Sequence, residues 1–283
     1  MTAAERTAPH TAARSTRTQR RDSADVILNA YIVIFFAYMF LPLVLMVIAA
    51  FNASPTPSVV DWQGFTFKWF TDLPKDQRFV QGLMHSLLIA AGVIVLSIPL
   101  GLAGAMILTR FGGKGSTLLY TALVSPILMP GIVLGVTTMI FWRDAFGVDA
   151  GMLTATLAQS SFIASYCMLL FMARLQRQDR ILEEAAADLG ASPWFTFRRI
   201  TLPFLRPTIL TASVIAFLQS IENYNTTFFS IGASWTLVTE IGSRMRFGLS
   251  PMVNAIGAIF IFLTVAFAIA WVIMQRHDVK ANA

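Results

Sequence analysis

Cysteine is nearly absent: Cys167 is the only one, and it lies inside an apolar run. One thiol excludes an intrachain disulfide and any cysteine-built metal cluster, and leaves the redox compartment undetermined. Charge is scarce as well. Asp, Glu, Lys and Arg make up 13% of the 283 residues, against roughly one quarter in soluble domains. The signatures of a membrane-embedded enzyme are missing, since no HExxH, no GxSxG and no paired acids within an apolar run occur. No catalytic or metal-binding residue is therefore assigned. A nucleotide site is lacking too. Gly112 to Ser116 has the look of a phosphate loop, but Lys114 is followed by Gly115, and Leu108 stands where the motif needs its first glycine.

What the chain does have is apolar surface: 56% of residues are hydrophobic, with 23 Phe and 6 Trp, and the mean hydropathy is +0.66. A soluble domain of this size has too little interior to hide so much, which makes a bilayer the expected solvent. Six runs, at about 26–51, 83–109, 118–142, 151–173, 208–229 and 253–275, are long enough to cross about 30 Å of hydrocarbon, which takes about 20 helical residues. They lack the two-residue alternation of barrel strands, so helices must satisfy their backbones. The expected fold is an all-α membrane protein of six transmembrane helices.

The basic residues orient it. Lys68, Lys75, Arg78, Arg143, Arg244 and Arg246 fall on one side, and the other fifteen of the 21 Lys and Arg fall on the opposite side. By the positive-inside rule both termini are cytoplasmic. The net charge of +6 thus reports orientation and gives no reason to expect nucleic acid. Residues 1–25, polar and carrying five Arg, read as a disordered cytoplasmic tail, and residues 276–283 as a second tail. A secretory signal does not fit, because the first apolar run is too long and ends without a small-x-small site; an organelle transit peptide remains open by composition.

Between the first two runs, Trp62, Phe65, Phe67, Trp69 and Phe70 suit an interfacial aromatic belt, or a docking surface for an external partner. His85, at the start of the second run, reads as a hydrogen-bonded structural residue. Pro126, Pro130, Gly131 and Gly135 should kink or break the third helix, a feature that either packing or a water-filled cavity explains.

The loop 174–207 carries the most informative stretch. Leu182 to Leu189 is strongly helix-forming with acids at its start, Gly190 is a C-terminal stop, and Ser192-Pro193 starts a second helix as N-cap and first residue. The small side chains of Ala185, Ala186 and Ala187, with the apolar area of Trp194, Phe195 and Phe197 beside them, suit close approach by another protein; an amphipathic segment on the inner membrane face, with Arg198 and Arg199 toward lipid phosphates, fits equally well. The pattern Glu184, Ala185, Ala186, Gly190, Ile200, Leu202, Pro203 resembles the EAA motif of binding-protein-dependent ABC importer permeases, in both spacing and place. The resemblance covers nearly all of the chain beyond the tail. Phe51-Asn52, Trp62 to Thr66 with Lys68-Trp69, and Gly248 to Pro251 with Val253 to Ala255 resemble the second permease of the spermidine/putrescine subgroup.

That resemblance implies a type I importer fold in a bacterial inner membrane. It also implies a docking site on the loop helix for a cytoplasmic ATPase dimer, which hydrolyses Mg-ATP. A second permease would complete the pore, and a periplasmic or extracellular solute-binding protein would deliver the cargo. The chain itself would hold no cofactor, contacting only these partners and membrane lipid.

Glu222 is the only carboxylate well inside an apolar run, at a cost of about 2.5–3.5 kcal/mol at mid-membrane, and such residues face a bundle interior or an aqueous path. Gln219, Glu222, Asn223 and Thr226, at i, i+3, i+4 and i+7, are expected to form one polar stripe lining a translocation path, or else to bond across helices. The polyamine subgroup tends to carry two acids where this chain has Glu222-Asn223, which widens the cargo to a zwitterion or monocation, such as an opine or an amino-acid-like compound. An ion-coupled secondary transporter is the competing class, and a single intramembrane acid argues against it.

Overall fold

The computed structural model describes residues 12–110, 115–179, 181–247 and 250–281. The readings made for residues 1–11, Gly112 to Lys114, Arg180, Gly248-Leu249 and residues 282–283 lie outside the described residues. Among those described the regular structure is helical, apart from an isolated bridge between Asn52 and Phe65. The all-α expectation holds. The chain divides into two compact units, Met1–Asp72 with Leu249–Ala283, and Leu73–Gly248.

In the first unit, α1 (Ala12–Ala50) and α12 (Met252–Ala281) pack against each other and α2 (Lys68–Asp72) lies on α12. Helix α1 begins within the stretch read as a disordered tail. Apolarity marks where lipid can begin, whereas Ala, Arg and Gln carry a helix on through polar sequence. The loop after α1 is built on Asn52, which is buried. Its Nδ2 donates to the carbonyls of Ser58 (2.8 Å) and Asp61 (2.7 Å), its Oδ1 accepts from the Gln63 amide (2.9 Å), and its own carbonyl accepts from Trp69 Nε1 (2.7 Å). Phe65, Phe67 and Phe70 stack around Phe51.

The second unit holds α3 (Gln77–Arg110), α4 (Ser116–Leu128), α5 (Gly131–Phe146), α6 (Met152–Leu175), α7 (Ile181–Asp188), α8 (Pro193–Thr196), α9 (Leu202–Ile221), α10 (Asn225–Ser230) and α11 (Leu237–Phe247). A π-turn, Phe197–Thr201, joins α8 to α9. Helix α6 is the axis: half of its apolar stretch is buried, against 6% in α1. Ile89 and Val93 of α3, Ile163, Cys167 and Phe171 of α6, and Leu205, Ala212 and Ala216 of α9 make the core. Lipid tails are as apolar as these side chains, so close packing across small residues, more than escape from solvent, holds such helices together.

Among the described residues, four helices are long and apolar enough to cross a membrane, and α4 with α5 makes a fifth if the bent pair counts as one span. The pair is bent by 107°, so the third expected run is broken where Pro130 and Gly131 stand. The sequence also expected one helix over 208–229. Instead the segment Pro193–Ile221 runs through the loop into the membrane helix, and α10 is separate. In α12 the described apolar stretch is the shorter Met252–Ala266.

Candidate functional site

Two helix breaks face one cavity. Pro130 lacks an amide hydrogen, and a proline disfavours helical backbone at the residue before it, so Met129 is extended and α5 starts afresh at Gly131. On the other side, α9 closes with the Glu222 amide donating to the Leu218 carbonyl (3.2 Å). Asn223 Oδ1 then accepts from the Thr226 amide (3.1 Å), satisfying one of the free donors at the start of α10. The expected stripe on a single helix is therefore not what forms, because the helix ends before Glu222. The break itself brings Gln219, Glu222, Asn223 and Thr226 to the wall of one cavity of about 310 Å³, at the lower end of small-molecule sites.

The opposite wall carries Pro126, Met129 and Gly131 from the α4–α5 break, with Phe162 and Tyr166 of α6 beside them, while Tyr224 lies on the α9–α10 side with its ring stacked on Phe228. Among the described residues no Lys or Arg lines this cavity, and Glu222 is its one carboxylate. The Glu222 side chain is exposed and has no hydrogen-bond or ion-pair partner among the described residues. Its neighbours, by contrast, are fixed. Gln159 of α6 is fully buried; its Nε2 donates to Thr227 Oγ1 (2.7 Å) and its Oε1 accepts from Ser220 Oγ, so one amide ties α6 to both sides of the break. Thr154 Oγ1 donates to the Ser230 carbonyl (2.7 Å). Gly135 allows α5 to lie directly on α10, since a Cβ there would meet the Thr226 carbonyl.

The loop corner forms as its local sequence dictates. Gly190, at φ +83°, ends α7 in the left-handed region, with its amide bonded to the Ala187 carbonyl and the Ala191 amide to the Ala186 carbonyl, both at 2.9 Å. Ser192 Oγ accepts from the Phe195 amide (3.3 Å) and Pro193 opens α8. Of the motif residues, Glu184, Ala185, Gly190 and Pro203 are exposed, and Ala186, Ile200 and Leu202 half-buried. Around them Ile181, Leu182, Trp194 and Phe195 are exposed, and Leu189 is 89% exposed. Five large apolar side chains are thus left exposed on one short corner. Glu183 behaves differently and turns inward: its Oε1 accepts from Arg110 Nη2 (2.7 Å), Thr201 Oγ1 (2.8 Å) and Gln178 Nε2 (3.0 Å).

Residues 97–278 match the family described as "Binding-protein-dependent transport system inner membrane component". The chain belongs to this family. Among its relatives is the putrescine transport system permease protein PotI of Escherichia coli (strain K12), 32% identical over 86% of this chain and 89% of the relative. Another is the spermidine/putrescine transport system permease protein PotC of the same strain, 27% identical over 87% and 93%. The fold is shared with a subunit of a bacterial ABC transporter involved in the import of the acidic polysaccharide alginate, at a TM-score of 0.68 and 16% identity over 93% of this chain and 99% of that one. Permeases of this family are membrane subunits of ABC importers whose ATPase is a separate subunit, which removes the secondary-transporter reading. The chain is an inner-membrane permease.

A third polar cluster, not anticipated from the permease sequence, surrounds Glu240 of α11. Glu240 is 3% exposed; Arg78 Nε reaches its Oε2 at 3.0 Å and Arg244 Nε its Oε1 at 2.9 Å, while Arg244 Nη2 pairs with Asp76 at 2.7 Å. Burial would lower the Arg244 pKa, but hydrogen bonds to Glu240 and Asp76 outweigh it and hold the guanidinium above its ordinary value. Arg78 also stacks on Trp235, whose carbonyl contacts His85 Nδ1 at 2.8 Å. His85 thus has the structural hydrogen bond expected of it. The cluster clamps α11 to the start of α3, and a buried carboxylate flanked by two guanidiniums is costly to leave half-paired.

Proposed function

We propose that this permease lines half of the pore of an ATP-driven importer for a small polar amine-bearing solute, a polyamine, an opine or an amino-acid-like compound. The observation that carries this is the cavity wall: among the described residues Glu222 is its single, unpartnered carboxylate, in a lining that includes Phe162, Tyr166, Gln219 and Asn223 and no basic residue. An ammonium group is stabilised by a carboxylate and by aromatic faces together, whereas an anion would meet repulsion. The named cargo of PotI and PotC supports the same class. One acid in the cavity favours a cargo with a single positive centre at this step.

In this reading Gln219, Glu222, Asn223 and Thr226 line the path, and the chain crosses the inner membrane six times with both termini and the α7–α8 corner in the cytoplasm. A cytoplasmic ATPase dimer, loaded with Mg-ATP, docks on the corner around Glu184, Ala185, Ala186 and Gly190, with Ile200, Leu202 and Pro203 continuing that element into α9. A second permease completes the pore, and a solute-binding protein loads it from outside. Uptake of labelled putrescine by cells with and without this chain is the test, with unlabelled amines and unlabelled anionic sugars as competitors. Loss of uptake without the chain, and competition by amines alone, is expected. Uptake that anionic sugars abolish and amines leave unchanged would overturn the reading.

A further inference from the structure

Helix α7 buries none of its residues, and its apolar side chains Ile181 and Leu182 point outward, 67% and 57% exposed. Apolar packing therefore does little to hold it to the helices it must move. Its polar attachment converges on one atom. Glu183 Oε1 receives Arg110 from the end of α3, Gln178 from the turn after α6, and Thr201 from the π-turn that begins α9. Thr201 is fully buried, and its hydroxyl donates to Glu183 while accepting from Arg110 Nη2 at 3.3 Å, so its one proton and a lone pair are both used. A second tie lies alongside, where the Arg174 guanidinium of α6 lies 4.1 Å from the centre of the Phe204 ring of α9.

We infer that Glu183, Arg110 and Thr201 form the joint through which α7 moves α3, α6 and α9 together, a positioning role distinct from that of the motif's own Glu184. The backbone connects α7 to α6 through residues 176–180 and to α9 through α8. The joint adds α3 and ties it to the start of α9, so a displacement of α7 reaches three core helices as one body. Charge-assisted hydrogen bonds to a carboxylate that keeps only 24% of its side chain exposed are short and directional enough to carry such a displacement. Glu184 remains exposed and free for the partner. The inference rests on the proposal that the ATPase docks on α7.

The test uses the complete transporter in proteoliposomes, reading ATPase co-purification, ATP hydrolysis and solute transported per ATP for Glu183→Gln, Arg110→Ala, their double variant and Thr201→Val. Each single charge variant should keep the ATPase bound and hydrolysing but lower transport per ATP by about tenfold, within the range that coupling between sites produces. The double variant should lose no more than either single one, because the two residues act through one contact. Thr201→Val, which keeps the branched shape and all charges, should lower the same ratio by a smaller factor. Wild-type transport per ATP in the single variants, multiplicative loss in the double, or loss of the ATPase from every variant would overturn the joint. Failure of the wild-type chain to co-purify an ATPase would instead overturn the docking proposal.

Discussion

Glu183 and Glu222 are both glutamates at a helix corner of the same unit, and their surroundings are opposite. Glu183 Oε1 accepts three hydrogen bonds from three elements, while Glu222 sits on the wall of a cavity with no partner among the described residues. A carboxylate whose acceptor sites are filled by its own chain fixes geometry; one left open to an aqueous space is available to something that is not part of the chain. The same contrast separates the regions around them. At the loop corner, Glu183 is closed, while Glu184 and the large apolar side chains are open. At the cavity, the supporting groups Gln159, Thr226 and Thr227 are buried and the acid is open.

The comparison fails if the cavity wall is not held as described, and the largest expected effect lies there. Gly135→Val puts a branched side chain where a Cβ already collides with the Thr226 carbonyl, and overpacking of this kind costs about 1–3 kcal/mol or more. A clear fall in the thermal unfolding midpoint in detergent is expected, together with loss of transport. An unchanged midpoint would mean that α5 does not lie on α10. Next, Gln159→Leu leaves Thr227 and Ser220 without their partner, at about 1 kcal/mol for hydrogen bonds between membrane helices. It should weaken transport while leaving ATPase co-purification intact; a loss confined to ATPase binding would contradict its place at the break. The smallest effect is expected for Ser192→Ala, which removes one N-cap bond worth about 1 kcal/mol of local helix stability. Faster amide exchange over Trp194–Thr196 with near-normal transport is the outcome that sharpens the comparison, because the corner keeps its Glu183 joint.

Local features of both regions were legible in the sequence. Gly190 as a stop, Ser192-Pro193 as a start, and Pro130-Gly131 as a break each act through the backbone of their own neighbourhood. The end of α9 at Ile221 was missed because neither proline nor glycine marks it; the available signal was Asn223, placed to cap the Thr226 amide. Periodicity alone carried the expected stripe through a point where the helix stops, although it selected the four residues that share the cavity. Glu183 with Arg110, Gln159 with Thr227, and Arg78 with Glu240 are separated by 73, 68 and 162 positions. No local rule joins such pairs, since only the packing of α3, α6, α9 and α11 brings them together. The start of α1 at Ala12 was missed for another reason: the boundary was drawn from apolarity, and helix propensity continues past it.

The central claim is that Glu222 serves a positively charged cargo in transit and does not hold the fold together. The direct measurement is transport by the reconstituted complete transporter of a cationic solute against Glu222→Gln, with unfolding midpoint and subunit co-purification recorded on the same preparations. The substitution keeps the size of the side chain and removes its charge. Transport should fall at least about tenfold, the equivalent of about 1.4 kcal/mol, with midpoint and assembly unchanged. Wild-type transport by Glu222→Gln, with Glu222→Ala failing to assemble, would show that Glu222 is a structural hydrogen-bonding group, and would contradict the account.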